Sequence, residues 1–256
     1  MGGSQLQSQG KLYIVGIGPG AIEEMTIKAR DALLESDVVV GNKSYIDLVK
    51  RLLDGKEVIE SSMGKEVERA RKALLLSKDN IVSIVSGGDA HVYGMAGIVF
   101  EIAESMDDHF EIEVLSGVSS VSASSSRIGA PLNNDFAVVS LSDLLTPWEM
   151  IEENLSAVSS SNFCIALYNP KSQRRNENFT KAIEIIKRYR DDDTPVGVVK
   201  DCSREGEEFF VTTLGEVLEF DDRVDMHTTV IIGNRESRIW NNWIITPRGY
   251  HRKYRI

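Results

Sequence analysis

Three short segments rich in glycine and serine contain the residue types that can hold a small ligand. They are GIGPGA at 16–21, SGGDAHVYGMAG at 86–97 and SGVSSVSA at 116–123. Each follows a run of apolar, β-branched residues that is typical of a buried strand. Glycine lets a backbone approach a ligand closely, and serine hydroxyls supply hydrogen bonds. The pattern therefore predicts three ligand-facing loops at strand ends.

The first segment matches the G-x-G-x-x-A spacing of a dinucleotide-binding turn. Two features argue against a dinucleotide. Pro19 and Gly20 delay the helix, which makes Thr26 the expected N-cap, and the next strand, DVVVGN, ends without the acidic residue that holds a ribose. A plain tight turn and a nicotinamide-binding turn both stay open for this segment alone.

The second segment has one carboxylate, Asp89, where the carboxyl end of a parallel strand would present it to a ligand. A carboxylate there suits a ligand amine or hydroxyl and repels phosphate. The alternative is that Asp89 only caps a helix beginning near Gly94. Ser119 and Ser120 in the third segment have the same two interpretations, helix cap or ligand contact.

A fourth group, SLSDLLTPWE, follows the apolar run FAVV and contains Ser142 and Asp143. Thr146 and Pro147 suit the start of the following helix, with Thr146 as N-cap. Because that helix needs no help from Asp143, we expect the carboxylate to face a ligand cleft.

The elements that position these groups alternate along the chain. In the first half, short apolar strands alternate with helical patterns of 10–15 residues, which indicates a mainly parallel sheet. In the second half, two apolar runs follow each other too closely for crossover helices, which indicates a mixed sheet. We predict two α/β domains, at 11–130 and 131–256, preceded by a disordered or cloning-derived tail at 1–10.

Composition excludes several classes of function. The formal charge is −10 and the sequence pI is about 5.0, so nucleic acid is not an expected partner. No run approaches the roughly 18 apolar residues of a membrane span, and we expect a cytoplasmic protein. Cys164 and Cys202 lack CxxC spacing and are interpreted as reduced, partly buried thiols. The four histidines show no ligand spacing, so no metal site is expected.

The segments GIGPG, SGGDAHVYGMAG and SGVSSVSA, in this order on successive strands, resemble the tetrapyrrole methylase family, which uses S-adenosylmethionine. SLSDLLTPWE, LYNPKSQRR, DTPVGVVKDCSREGE and TTVIIGN resemble its precorrin-3B or cobalt-factor III carbon-17 branch. The resemblance runs from about Lys11 to Tyr250. It implies two α/β domains with a cleft between them, a homodimer, and methylation of carbon 17 with ring contraction in corrin biosynthesis.

The resemblance also implies a set of residues that contact S-adenosylmethionine or its product S-adenosylhomocysteine. They are Pro19, Gly87, Gly88, Asp89, Val92, Tyr93, Ser119, Ser120, Asn169, Cys202 and Thr229. His91 departs from the small residue expected in this branch. With Asp143, it is a candidate for moving protons during ring contraction.

The acceptor macrocycle carries several carboxylates, so an acidic protein needs local positive charge to bind it. PKSQRR at 170–175 supplies that charge, because arginine pairs well with carboxylates. The predicted substrate contacts are Ser142, Lys171, Arg174 and Arg175.

Other functions stay open at this point. The chain could methylate another macrocycle position, act as an NAD-dependent oxidoreductase, or carry a tetrapyrrole without catalysis. Whether the macrocycle already holds cobalt is also open.

Overall fold

The computed structural model describes residues 10–172 and 175–255. Its contacts divide the chain into two compact units, one ending at Ser120 and one beginning at Val121. The division falls ten residues before the expected boundary at 130. The reason is a helix at Ser120–Ile128 that packs within the second unit, where the Ile128 side chain leaves no room for a side chain at Gly197.

The first unit contains a five-stranded sheet in the order β3-β2-β4-β1-β5, and every described pairing in it is parallel. Its strands are β1 Lys11–Gly16, β2 Val38–Asn42, β3 Glu57–Ser61, β4 Ile81–Ser86 and β5 Ile112–Leu115. Its helices are α1 Ile27–Glu35, α2 Lys43–Val49, α3 Glu66–Leu76 and α4 Ala96–Met106.

Helices cover both faces of this sheet. Leu12 and Ile14 on β1 pack with α3 and α4, whereas Tyr13 and Val15 pack with α1 and α2. Neighbouring residues of a strand point to opposite faces, so a strand covered on both faces is apolar throughout. α1 begins as predicted, because the Thr26 hydroxyl accepts a hydrogen bond from the Ala29 amide at 3.2 Å.

The second unit contains a mixed sheet in the order β10-β9-β11-β8-β7. Its strands are β7 Phe136–Ser140, β8 Cys164–Tyr168, β9 Pro195–Lys200, β10 Glu208–Thr213 and β11 Thr228–Ile232. Its helices are α5 Ser120–Ile128, α6 Trp148–Ser160 and α7 Asn178–Lys187. β7 and β8 are parallel, while β11 runs antiparallel to β8 and β9, so the predicted mixed sheet is confirmed.

A small third sheet in this unit was not predicted. It consists of β6 Gly129–Ala130, β12 Arg238–Trp240 and β13 Trp243–Ile245. Asn241 and Asn242 join β12 to β13 with positive φ angles of 48° and 64°. Asparagine tolerates this conformation, which matches the twist of a two-residue hairpin.

One predicted helix start is wrong by a residue. α6 begins at Trp148, and Pro147 rather than Thr146 is its N-cap residue. Pro147 has an extended ψ of 144°, so its peptide lies outside the helix. No side chain caps this end, and Asp143 takes no part in the helix start.

Within the described ranges, no helix is long and apolar enough to cross a bilayer. In the same residues, no group of three or more His, Cys, Asp or Glu side chains could hold a metal ion.

Candidate functional site

The first two predicted loops of the first unit are joined directly through their backbones. The Gly18 amide donates to the Gly88 carbonyl at 3.0 Å, and the Gly88 amide donates to the Gly18 carbonyl at 2.8 Å. Both glycines have positive φ, +80° and +66°, which few other residues adopt without strain. Because β1 and β4 are neighbours, this pair holds the two loops together at the carboxyl edge of the sheet.

Asp89 connects the second loop to the third. One carboxylate oxygen accepts the His91 amide at 2.8 Å, and the other accepts the Gly117 amide at 3.0 Å. Asp89 does not cap the following helix, because α4 begins at Ala96 without a side-chain cap. The first oxygen also accepts the Val92 amide at 3.3 Å, so further acceptor capacity lies on the second oxygen, since each carboxylate oxygen has about two lone-pair positions.

The centre of the three loops is made of backbone. A Cβ at Gly117 would lie 2.2 Å from the Gly88 carbonyl oxygen, and a Cβ at Gly16 would lie 2.5 Å from the Gly117 nitrogen. Such distances exclude side chains at both positions. The result is a shallow surface of peptide groups over the ends of β4, β1 and β5, where open α/β sheets bind ligands.

The other predicted residues of this unit surround that surface. Pro19 is buried, whereas the side chains of His91, Val92 and Tyr93 are exposed. Tyr93 has a φ of +53°, a backbone conformation that a bulky residue rarely adopts. Ser119 and Ser120 of the third loop are half-buried, and Ser120 lies beside Gly88.

A second cluster lies at the carboxyl ends of β7 and β8 in the second unit. The Asn169 amide donates to the Ser140 hydroxyl at 3.0 Å. Arg175 donates to the Ser142 hydroxyl at 2.8 Å and to the Asn169 carbonyl at 3.0 Å. Asn169 has a positive φ of 52°, so the chain turns sharply after β8. The structure thus brings together Ser142, Asn169 and Arg175, which are separate in the sequence.

Asp143 lies at the rim of this cluster. Its carboxylate is 3.7 Å from the Arg175 guanidinium, and its side chain is 43% exposed. The Arg175 side chain is only 12% exposed. Arg175 therefore orients the candidate catalytic carboxylate instead of presenting its whole charge to solvent.

The basic segment 170–175 differs from the open, positively charged loop that the sequence suggested. Lys171 donates to the Asp221 carbonyl at 2.8 Å and forms an ion pair with its carboxylate. Arg175 is engaged as described above, and Arg174 lies outside the described residues. Both described cations are thus held by contacts within the protein.

A third cluster lies after β9 and includes two residues that the sequence analysis missed. Arg127 on α5 donates to both carboxylate oxygens of Glu207, at 3.0 and 3.1 Å, and to the Ser203 hydroxyl at 2.9 Å. The Ser203 amide donates to Glu207 at 2.5 Å. Asp201 and Ser203 have positive φ angles of 47° and 62°, so these contacts hold a strained loop in place.

The pKa of Glu207 reflects these contacts with Arg127 and Ser203. Burial alone would raise the pKa of Glu207, but the Ser203 amide and the Arg127 guanidinium outweigh it and lower the pKa below 4.5. Cys202, within the loop, is 7% exposed, and burial raises the pKa of its thiol. Burial also raises the pKa of the Cys164 thiol. Both cysteines are free and buried, as predicted, and neither is a reactive thiolate.

Thr229, the last predicted contact, lies on β11 opposite Val199 and is 6% exposed. The predicted residues of the second unit therefore lie at the carboxyl ends of β7, β8 and β9 and at the start of β11. No local sequence signal could have identified Arg127 and Glu207, because 80 residues separate them.

The chain is thus a two-unit α/β protein with ligand loops at strand ends. Its first unit has an all-parallel sheet with glycine loops at the carboxyl edge, and its second unit has a mixed sheet. The chain belongs to the Tetrapyrrole (Corrin/Porphyrin) Methylases, whose family model matches residues 11–218.

Curated relatives agree with this family. Cobalamin biosynthesis protein CbiHC of Archaeoglobus fulgidus is 46% identical over 251 residues, which are 98% of this chain and 55% of that protein. The chain spans about half the length of that relative and of a second one. A probable cobalt-factor III C(17)-methyltransferase of Salmonella typhimurium is 41% identical, and the match covers 93% of this chain and 99% of that protein.

Solved structures share the fold. The methyltransferase CobJ matches with a TM-score of 0.87 and 30% identity, over 93% of this chain and 100% of that one. Uroporphyrin-III C-methyl transferase from Thermus thermophilus, in complex with S-adenosylhomocysteine, matches with a TM-score of 0.67 and 26% identity. That match covers 88% of this chain and 97% of the other.

Proposed function

We propose that this chain is an S-adenosylmethionine-dependent C-methyltransferase that methylates carbon 17 of a tetrapyrrole and promotes ring contraction in corrin biosynthesis. The observation that carries the proposal is the joined set of three glycine loops at the carboxyl edge of the parallel sheet. Family membership and the names of the relatives support it. These same findings favour methyl transfer over nicotinamide chemistry.

The residues present fit S-adenosylmethionine. Gly87 and Gly88 keep the backbone at the end of β4 free of side chains, and at Gly87 no side chain would fit, because a Cβ there would lie 2.5 Å from the Tyr45 ring. Asp89 is held in place by two loops and keeps acceptor capacity for a ligand ammonium. The related uroporphyrin-III C-methyl transferase was solved with S-adenosylhomocysteine, which supports the same class of ligand here.

When bound, the cofactor supplies a methyl group on a positively charged sulfur. Transfer to a carbon nucleophile would be an in-line displacement with S-adenosylhomocysteine as the leaving group. The protein then has to align donor and acceptor and exclude water, effects that can contribute as much as about 7–11 kcal/mol. Gly87, Gly88 and Asp89 would hold the amino-acid end of the cofactor, with Pro19, Val92, Tyr93, Ser119 and Ser120 beside it. Asn169, Cys202 and Thr229 are proposed for the adenosine side.

Asp143 is our preferred residue for moving a proton during ring contraction. It is partly exposed and oriented by Arg175, so it can reach a ligand while keeping a fixed position. Ser142 is proposed to help bind the macrocycle, and Lys171 would do so by exchanging its ion pair with Asp221 for a substrate carboxylate. His91 is the second candidate, because it is exposed and its backbone amide is held by the Asp89 carboxylate.

The relatives favour a macrocycle that contains cobalt. Those named cobalt-factor III methyltransferases are 40–43% identical to this chain, whereas the precorrin-3B C(17)-methyltransferase of Sinorhizobium is 35% identical. We therefore propose cobalt-factor III as the substrate. The homodimer and the cytoplasmic location stay predictions, and sedimentation velocity would test the first.

A thermal shift assay with three ligands tests the cofactor assignment. S-adenosylhomocysteine at 100 times its dissociation constant should stabilise the protein by roughly 2.7 kcal/mol, a shift of about 5 °C or more. NAD should cause no shift. Stabilisation by NAD would instead support an oxidoreductase. Stabilisation by a tetrapyrrole but not by S-adenosylhomocysteine would support a noncatalytic carrier.

A further inference from the structure

A groove in the second unit lies away from that unit's clusters at the carboxyl ends of β7, β8 and β9. It has a volume of about 620 Å³ and is lined by Arg238 and Ile245 of the β12–β13 hairpin and by Arg248, Tyr250 and His251. Nearby, the Thr246 hydroxyl is 3.6 Å from the thiol of Cys164, the first residue of β8. The groove is therefore at the amino edge of the mixed sheet, at the opposite end from Asn169.

Two guanidinium groups in this groove lack a partner among the described residues. By contrast, Arg223 of this unit is paired with Glu208, and Arg252 with Glu236. Glu236, the one acid in the lining, is thereby occupied. No described side chain forms an ion pair or hydrogen bond with the guanidinium groups of Arg238 and Arg248. They remain available for an anion, and their shape matches a carboxylate.

The local charge contrasts with that of the whole chain. Residues 235–255 contain six arginines and lysines and one glutamate. The chain as a whole has 29 basic and 39 acidic residues, so this segment is strongly basic within an acidic protein. Such a patch attracts an anionic ligand to one face of the molecule.

Aromatic side chains extend the groove along the hairpin. Arg238 is paired with Ile245, and Trp240 with Trp243. Because side chains alternate along a strand, all four lie on the same face of the hairpin. Trp240 is 58% exposed and Trp243 is 43% exposed. Flat, exposed indole rings beside free guanidinium groups suit a ligand with a planar apolar body and several carboxylates.

We infer that this groove is a second binding site for a planar polycarboxylate, separate from the site of methyl transfer. A tetrapyrrole with acetate and propionate side chains belongs to this chemical class. The inference that the ligand is this protein's own substrate or product rests on the proposed function. The inference that the groove binds a planar polycarboxylate rests only on the chemistry of the groove. A ligand held here would stay close to the protein before or after its reaction.

The test uses calorimetric titration of the full chain with uroporphyrin I, a planar macrocycle with eight carboxylates. The variant R238A/R248A should weaken one binding event at least roughly tenfold, because two charged contacts are lost. The control R30A/R188A removes the same charge from two exposed ion pairs elsewhere and should bind as the unsubstituted protein does. Trp240→Ser should weaken the same event severalfold without changing the melting temperature.

Three outcomes would overturn the inference. Uroporphyrin could bind equally to the unsubstituted protein and to R238A/R248A. Citrate at the same concentration could displace uroporphyrin from the sensitive site, which would make it a general anion site. Sedimentation velocity could show that R238A/R248A loses uroporphyrin only together with a change in mass, which would identify an interface between two copies of the chain.

Methyl transfer measured in parallel separates this inference from the proposed function. The R238A/R248A variant should keep its turnover number at saturating substrate. If the protein transfers a methyl group but R238A/R248A does not change uroporphyrin binding, only the second site is contradicted. If R238A/R248A weakens uroporphyrin binding but the protein transfers no methyl group, only the proposed function is contradicted.

Discussion

Asp143 was identified as a candidate from the sequence, and the structure adds the residue that orients it. The sequence indicated that the helix after SLSD needs no help from this carboxylate, and the structure places it 3.7 Å from Arg175 at the end of β7. Its partner Arg175 could not be predicted, because 32 positions separate the two residues. A basic segment is also usually expected to face solvent or to bind substrate. The carboxylate and its orienting cation together form the candidate acid–base group.

Replacing Asp143 by asparagine should lower kcat about a hundredfold, as expected for loss of a general acid or base. The free energy of unfolding should change by less than about 0.5 kcal/mol, because the side chain is partly exposed. Steady-state kinetics and urea unfolding would measure both quantities. Asp193→Asn, at an exposed position, is the matched control. Unchanged turnover in Asp143→Asn would remove Asp143 from the site.

Among single residues, those with a local signature were found from sequence and those defined by distant contacts were not. Gly87, Gly88 and Asp89 follow a strand in a recognisable order. Arg127 and Glu207 do not, since their pairing exists only after α5 packs in the second unit. The same limit explains why Lys171 was expected to have free charge.

At the scale of elements, the three loops depend on close backbone contact. Gly117→Ala should destabilise the protein by about 2–3 kcal/mol, because its Cβ would overlap the Gly88 carbonyl. It should also weaken S-adenosylhomocysteine binding. Gly97→Ala in α4 is the control, since nothing lies within 4 Å of the new Cβ, and it should stabilise by about 0.5–1 kcal/mol. Equal cofactor affinity in the two variants would argue against the loop surface as the binding site.

The contact between α5 and the loop after β9 should depend on pH. The pKa of Glu207 is lowered on folding, so its ionised form stabilises the protein above its unfolded-state pKa. This contribution is lost as pH falls through the folded-state pKa, which lies below 4.5.

Glu207→Gln should therefore cost about 1 kcal/mol at pH 7, a modest value because the pair is partly exposed. The difference from the unsubstituted protein should disappear in more acidic solution. Urea unfolding between pH 7 and pH 3 measures this. The exposed Glu219→Gln is the control. A difference that stays constant with pH would show that the Glu207 charge does not hold the loop.

Elements with strong periodicity were predicted well, and very short ones were not. The alternation of apolar runs and helical patterns predicted the parallel sheet and the order of its loops. The sheet formed by β6, β12 and β13 has strands of two or three residues, too short for a periodic pattern to be distinguished. Sequence alone does not show that α5 belongs to the second unit, because that depends on packing.

At the scale of the whole molecule, charge is distributed unevenly. The protein is acidic overall, yet residues 235–255 are basic, and Arg238 and Arg248 of the groove lie in that segment. Composition alone made nucleic acid an unexpected partner but could not show where positive charge collects. An acidic enzyme that binds a polycarboxylate needs such local departures from its net charge.

Methyl transfer to an identified carbon tests the central claim most directly. The full chain should be incubated with cobalt-factor III and S-adenosylmethionine carrying a ¹³C-labelled methyl group, and the product analysed by mass spectrometry and NMR. We predict one labelled methyl group on carbon 17 of a ring-contracted macrocycle. A label on another carbon, or an unmodified macrocycle in the presence of bound cofactor, would contradict the account.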